Sequence, residues 1–123
     1  MTRLTIRIDF GNGTALGPGK VRLLELVDET GSIRKAAGRM KMSYRRAWLL
    51  LKALGGSFGE ALVETATGGK AGGGARLTPA GHLVVKQYRS LEKAAAKAGV
   101  RQLGTLSGLA SVTKKGRKRP FRR

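Results

Sequence analysis

The sequence contains no cysteine, so disulfides and thiolate metal sites are excluded. It has a single histidine, His82. That removes any histidine-based metal cluster and argues against histidine-dependent catalysis. His82 itself reads as a structural residue. Acidic residues are scarce: seven Asp and Glu stand against 25 Lys and Arg, a net charge of +18. No apolar run approaches the roughly 20 residues that span a bilayer. The N-terminus alternates charge and has no apolar signal-peptide core. No nucleophile, base and orienting group can be assembled, so no catalytic residue and no enzyme is expected. These absences point to a cytoplasmic, nucleoid-associated protein with no cofactor, no metal and no membrane partner. What is there is a polycation of 123 residues, one domain's length. Its expected partner is a polyanion, with nucleic acid first.

The charge is uneven. Residues 100–123 carry Arg101, Lys114, Lys115, Arg117, Lys118, Arg119, Arg122 and Arg123 and no acid, while residues 1–99 are still basic by +10. Periodicity fades from Gly99. The sequence therefore divides into a folded domain over 1–98 and a basic arm over 99–123 that is expected to lack fixed structure. The string Lys114–Pro120 resembles an import signal, but a DNA-gripping arm is the preferred reading.

Along the domain, Leu4, Ile6, Ile8 and Phe10 alternate with Thr5, Arg7 and Asp9, the period of a half-buried strand. Gly11–Asn12–Gly13 breaks it. Leu23, Leu24 and Val27 follow helical spacing up to Gly31. Ser32 can cap a second helix, Ile33 to Met40, and Ser43 a third, Tyr44 to about Leu54, ended by Gly55–Gly56. Leu62–Val63 and Arg76–Leu77 read as short strands around a glycine-rich tip, Thr67–Gly74. Thr78–Pro79 then starts a helix of about 20 residues, with Val84, Tyr88, Leu91 and Ala95 spaced by four, three and four. The fold class is mainly α with a small β-hairpin.

Residues 31–50 fit a helix-turn-helix. Ala36 and Ala37 are small where two helices cross, and Met40 and Met42 are apolar on either side of the turn. Ala47, Leu50, Leu51 and Leu54 make the buried stripe of the third helix. Its opposite face carries Arg45, Leu49 and Lys52, with Trp48 beside them and Tyr44 and Arg46 at the boundaries. Arg45 and Arg46 occupy a first turn where the helix dipole prefers acids, at a cost of about 0.3–1 kcal/mol each. A phosphate or a guanine edge would reward them. Exposed Leu49 suits a thymine methyl or a neighbouring protein surface. Tyr44 and Trp48 fit either the core edge or DNA. The hairpin reads as a wing over residues 61–77, with Lys70 and Arg76 supplying charge. It lacks the ending of a nucleotide-binding P-loop. Glu60 and Glu64 read as solvent charges or ion-pair partners, and the methionines as core filler.

Leu16–Lys20, Asp28–Ile33, Met42–Trp48, Leu62–Gly69 and Gly72–Pro79 together resemble the N-terminal domain of the ModE family of molybdate-responsive transcription regulators. The resemblance covers roughly residues 5–97. It implies a LysR-like winged helix-turn-helix that binds operator DNA as a homodimer, with a long C-terminal dimerisation helix. Carried over by position, the recognition helix begins at Ser43, Lys70 falls in the wing, and Val84, Tyr88, Leu91 and Ala95 form the dimer seam. Three departures stand out. The residues after Gly99 do not suit the family's oxyanion-binding domains, so molybdate binding by this sequence is not expected. Lys41 holds a turn position that often carries glycine. Gly55–Gly56 interrupts the third helix. Three functions compete: a sequence-specific regulator, a sequence-nonspecific nucleoid-type DNA-binding protein, and an adaptor that pairs with a full-length ModE-like relative.

Overall fold

The computed structural model describes residues 2–66 and 74–116, with side chains through Ser111. The tip residue Lys70 and the end of the basic arm, residues 117–123, lie outside the described residues. Element order is β1 (Ile8–Asp9), β2 (Ala15–Leu16), α1 (Pro18–Thr30), α2 (Ile33–Arg39), α3 (Tyr44–Phe58), β3 (Val63–Ala66), β4 (Gly74–Leu77), α4 (Pro79–Ala98) and α5 (Val100–Gly116). The chain divides into two compact units. One is Thr5–Arg89; the other joins the first residues to those from Ser90 onward.

In the Thr5–Arg89 unit, α1 is the central helix and packs against α2, α3 and β4. Pro18 starts it at a position where no backbone N–H is needed. Val21, Leu23, Leu24, Leu26 and Val27 are all buried, a stripe broad enough to face several neighbours. Each such burial contributes about 1.5–3 kcal/mol. Gly31, at φ 70°, ends the helix in the left-handed region and donates its N–H to the Val27 carbonyl. The Gly31 carbonyl accepts from Ala75 N–H, tying β4 to this turn.

Ser32 and Ser43 cap α2 and α3 as their positions predict, accepting from the N–H groups of Lys35 and Arg46. The turn between these helices is a Schellman motif: Met42 N–H bonds the Ala37 carbonyl and Lys41 N–H bonds that of Gly38. Lys41 sits at its left-handed position with φ 55°. A lysine there costs about 1–2 kcal/mol relative to an unstrained backbone.

Two helical expectations are corrected. Helix α3 does not stop at Gly55–Gly56 but runs on to Phe58 and ends at Gly59, φ 75°. The glycine at 55 serves proximity: a Cβ there would lie 3.3 Å from the Glu60 carbonyl oxygen and 3.4 Å from Ala61 Cα. Phe58 then meets Phe10 edge-on, ring centroids 5.6 Å apart. The arm expected to lack structure after Gly99 is instead helical over Val100–Gly116. Within that second unit, the Thr2 and Ser107 hydroxyls are hydrogen-bonded.

The N-terminal strand is shorter than its alternation suggests. Leu4, Ile6 and Ile8 are half-buried between exposed neighbours, as period two requires, yet only Ile8–Asp9 pairs, antiparallel to Ala15–Leu16. The second hairpin pairs Val63 with Leu77, Glu64 with Arg76, Thr65 with Ala75 and Ala66 with Gly74. Thr78 locks this hairpin to α4. Its hydroxyl accepts from Gly81 N–H and donates to the Ala61 carbonyl, and its N–H bonds the Leu62 carbonyl. Gly81 lies so close to Leu62 that a Cβ would stand 2.1 Å from the Leu62 oxygen. The core runs from Leu16 through α1–α3 to Leu62, Ala75, Leu77 and Tyr88, and among the described residues it buries no polar or charged side chain other than the Tyr88 hydroxyl. That hydroxyl donates to the Ile6 carbonyl at 2.6 Å.

Candidate nucleic-acid interface

Helix α3 buries Ala47, Leu51 and Leu54 against α1 and α2 and half-buries Leu50, the stripe that its sequence spacing predicts. Burying that side turns the opposite side to solvent. Tyr44 is 41% exposed, Trp48 39% and Leu49 47%; Ser43, Arg45, Arg46 and Lys52 are exposed as well. Ser43, Arg45, Arg46, Leu49 and Leu50 line a shallow depression of about 350 Å³. A wider groove of about 600 Å³ runs between α3 and β3, bordered by Trp48, Lys52, Gly56, Val63 and Thr65.

Tyr44 and Trp48 are thus surface residues, and each carries a cation on its ring. The Arg34 guanidinium lies 4.7 Å from the Tyr44 centroid and the Lys52 ammonium 5.3 Å from that of Trp48. Arg34 belongs to α2, and sequence reasoning missed it. The available signal was a cation on the exposed side of α2, in its first turn.

Charge around this face is of one sign. Between Thr30 and Gly59 stand Arg34, Lys35, Arg39, Lys41, Arg45, Arg46 and Lys52, and no acid. All seven are exposed, and among the described residues none forms an ion pair. The first turn of α3 contains no acid to offset the helix dipole. In the wing, Arg76 is exposed, but its Nε donates to Glu64 Oε2 at 2.6 Å, so a phosphate there must compete with a carboxylate.

The residues expected on a dimer seam differ in burial. Tyr88 is enclosed in the core, 2% exposed, and Val84 is half-buried against it. Tyr88 is held there by its bond to Ile6, which the spacing within α4 does not reveal. Leu91 is exposed and Ala95 half-buried. Leu83, which spacing did not single out, is also exposed.

Two serine-capped helices crossing at small residues, the second with an outward cationic side, followed by a two-stranded hairpin, define a winged helix-turn-helix. Residues 19–82 match the bacterial regulatory helix-turn-helix protein family of the LysR type, and the chain belongs to that family. It is 46% identical over 71 residues to the molybdenum transport protein ModE of Herbaspirillum seropedicae, covering 58% of this chain and 26% of that protein. It is 36% identical over 92 residues to the transcriptional regulator ModE of Haemophilus influenzae, covering 75% of this chain and 36% of that protein. Among solved structures, the CbnR DBD–DNA complex matches with a TM-score of 0.55 at 25% identity, over 72% of this chain and 95% of that one. The chain therefore resembles the ModE proteins as its residue strings imply, and spans about a quarter to a third of these curated relatives' length.

Proposed function

We propose that this chain is the DNA-binding part of a ModE-type transcription regulator, acting in the cytoplasm on double-stranded operator DNA. Helix α3 enters the major groove, and the β3–β4 wing lies along the neighbouring backbone. The carrying observation is the set of seven exposed cations around α2 and α3 that, among the described residues, no carboxylate pairs with, and apolar Leu49 is exposed among them. Arg45 suits the paired acceptors of guanine, and Leu49 a thymine methyl. The kinship with ModE regulators and the match to a DNA-bound LysR-type domain support the same reading. The chain works as a homodimer through α4, where Leu83 and Leu91 leave apolar surface uncovered. Two α3 helices then meet successive major grooves about 34 Å apart.

Selection of bound sequences from random duplex DNA, followed by salt titration on the winner, tests this. The expected result is a palindromic consensus bound at least about 10³-fold better than random duplex. No consensus, with one steep salt slope for every sequence, would replace the regulator by a nonspecific DNA coat.

A further inference from the structure

The outward side of α3 divides into two stripes of different chemistry. Residues 45 and 49 lie one turn apart and carry a guanidinium and a bare aliphatic chain. Residues 44, 48 and 52 form a parallel row, displaced by about 100° around the helix. This second row is built of rings with cations laid on them: Arg34 on Tyr44 and Lys52 on Trp48. Two of its members also border the groove towards β3.

Stacking changes what these cations can do. A cation–ring contact uses none of the guanidinium's five N–H donors as hydrogen bonds, so they stay available to a ligand. The ring restricts the long side chain, so less freedom remains to be lost when a ligand binds. Arg34 is exposed and, among the described residues, makes no ion pair. It projects from α2, the helix that in this architecture crosses the backbone and does not enter the groove. A poised cation in that place suits a phosphate oxygen, which carries no sequence information.

We propose that Arg34, seated on Tyr44, together with Lys52, seated on Trp48, is a phosphate-positioning row that sets how α3 lies on the duplex, and that base discrimination falls to Arg45 and Leu49. This rests on the DNA-binding reading above. It assigns a role to a residue outside the recognition helix and gives the two exposed aromatics a positioning task in place of base readout.

The test compares the full chain with Arg34→Gln, Tyr44→Ala, their double variant, and Leu49→Ala, all exposed sites whose folding is checked by circular dichroism. Binding is followed as a function of salt on the selected duplex and on a random one. Arg34→Gln should weaken both complexes about tenfold, leave their ratio unchanged, and reduce the salt slope by about 0.9. Tyr44→Ala should weaken binding, and adding it to Arg34→Gln should cost little more, because the ring acts through the guanidinium. Leu49→Ala should do the reverse, lowering the ratio at an unchanged slope, and replacing thymine by uracil should erase that difference. An unchanged salt slope in Arg34→Gln, or a loss of discrimination in it, overturns the proposal. So does full additivity of Arg34→Gln and Tyr44→Ala. Failure of the unaltered chain to bind either duplex would instead overturn the DNA-binding reading itself.

Discussion

Between α1 and the first part of α4, a cluster of four charges is settled within the fold. Glu25 accepts from Arg89 through both carboxylate oxygens, each at 2.8 Å, and from Arg22 at 3.2 Å, while Arg22 also reaches Glu29. On α2 and α3 charge is left open: seven cations stand in water with no carboxylate partner among the described residues. Both faces belong to one unit of the molecule and flank the same apolar core. On one, Arg22, Glu25, Glu29 and Arg89 have local counter-charges, and the Glu25–Arg89 pair contributes to holding two helices together. On the other, mutual repulsion is tolerated, and the neutralising partner has to come from outside. The scarcity of acids in the sequence is thus concentrated where the fold least needs them.

The largest effect should come from the open face. Arg45→Ala is expected to cost about 1–3 kcal/mol of discrimination between the selected and random duplexes, while stability rises by about 0.3–1 kcal/mol as the helix dipole is relieved. Equal discrimination in competition binding would remove Arg45 as a base reader. On the settled face, Glu25→Gln should do the opposite. It leaves Arg89 and Arg22 without their shared counter-charge and should lower stability by about 1–2 kcal/mol in urea titrations, with DNA affinity preserved. Hydrogen bonding from Arg89, opposed by partial burial, holds the Glu25 carboxyl below the usual carboxylate range. A carboxylate lowered in the folded state contributes stability above its unfolded value, near pH 4.3, and that contribution disappears as the pH falls through the folded value. Acid titration should therefore weaken the α1–α4 junction from about pH 4 downward, and Glu25→Gln should flatten that part of the profile.

Lys41→Gly separates the two kinds of charge at one position. Removing the left-handed lysine should raise stability by about 1 kcal/mol, seen as a higher melting temperature, while removing a cation should lower DNA affinity slightly. A drop in melting temperature would show that the side chain contributes more than the strain costs. The smallest effect is expected in the wing, where one pair mixes the two behaviours. Glu64→Gln frees the exposed Arg76 and should raise DNA affinity a few-fold with stability altered by less than about 1 kcal/mol. Weaker binding would mean that Glu64 holds Arg76 in its working position.

The features legible in the sequence were the local ones. Ser32, Ser43 and Thr78 announce helix starts because a cap needs only its own next three residues. The buried side of α3 follows from spacing alone, and with it the outward placement of Arg45, Leu49 and Lys52. Where the sequence misled, a distant partner decided. Gly55 looks like a stop until the Glu60–Ala61 backbone is seen against it. Tyr88 looks like a seam residue until its hydroxyl is found on Ile6, 82 positions away in the chain. Arg34 and Tyr44 are ten residues apart on different helices, and no periodicity links them. The weak helical signal of residues 100–116, rich in Gly, Ser and Thr, hid α5.

The junction at Thr78 and Gly81 has a consequence for how a target would be measured out. One threonine caps α4 and grips the two residues that lead into the wing, and the glycine one turn on leaves no slack between helix and strand. Wing and helix start are therefore parts of one elbow and turn together. In a pair of copies joined through α4, the distance between the two DNA-facing surfaces is inherited from that joint. The letters of a recognised site would then be written in α3, and the gap between its halves in α4.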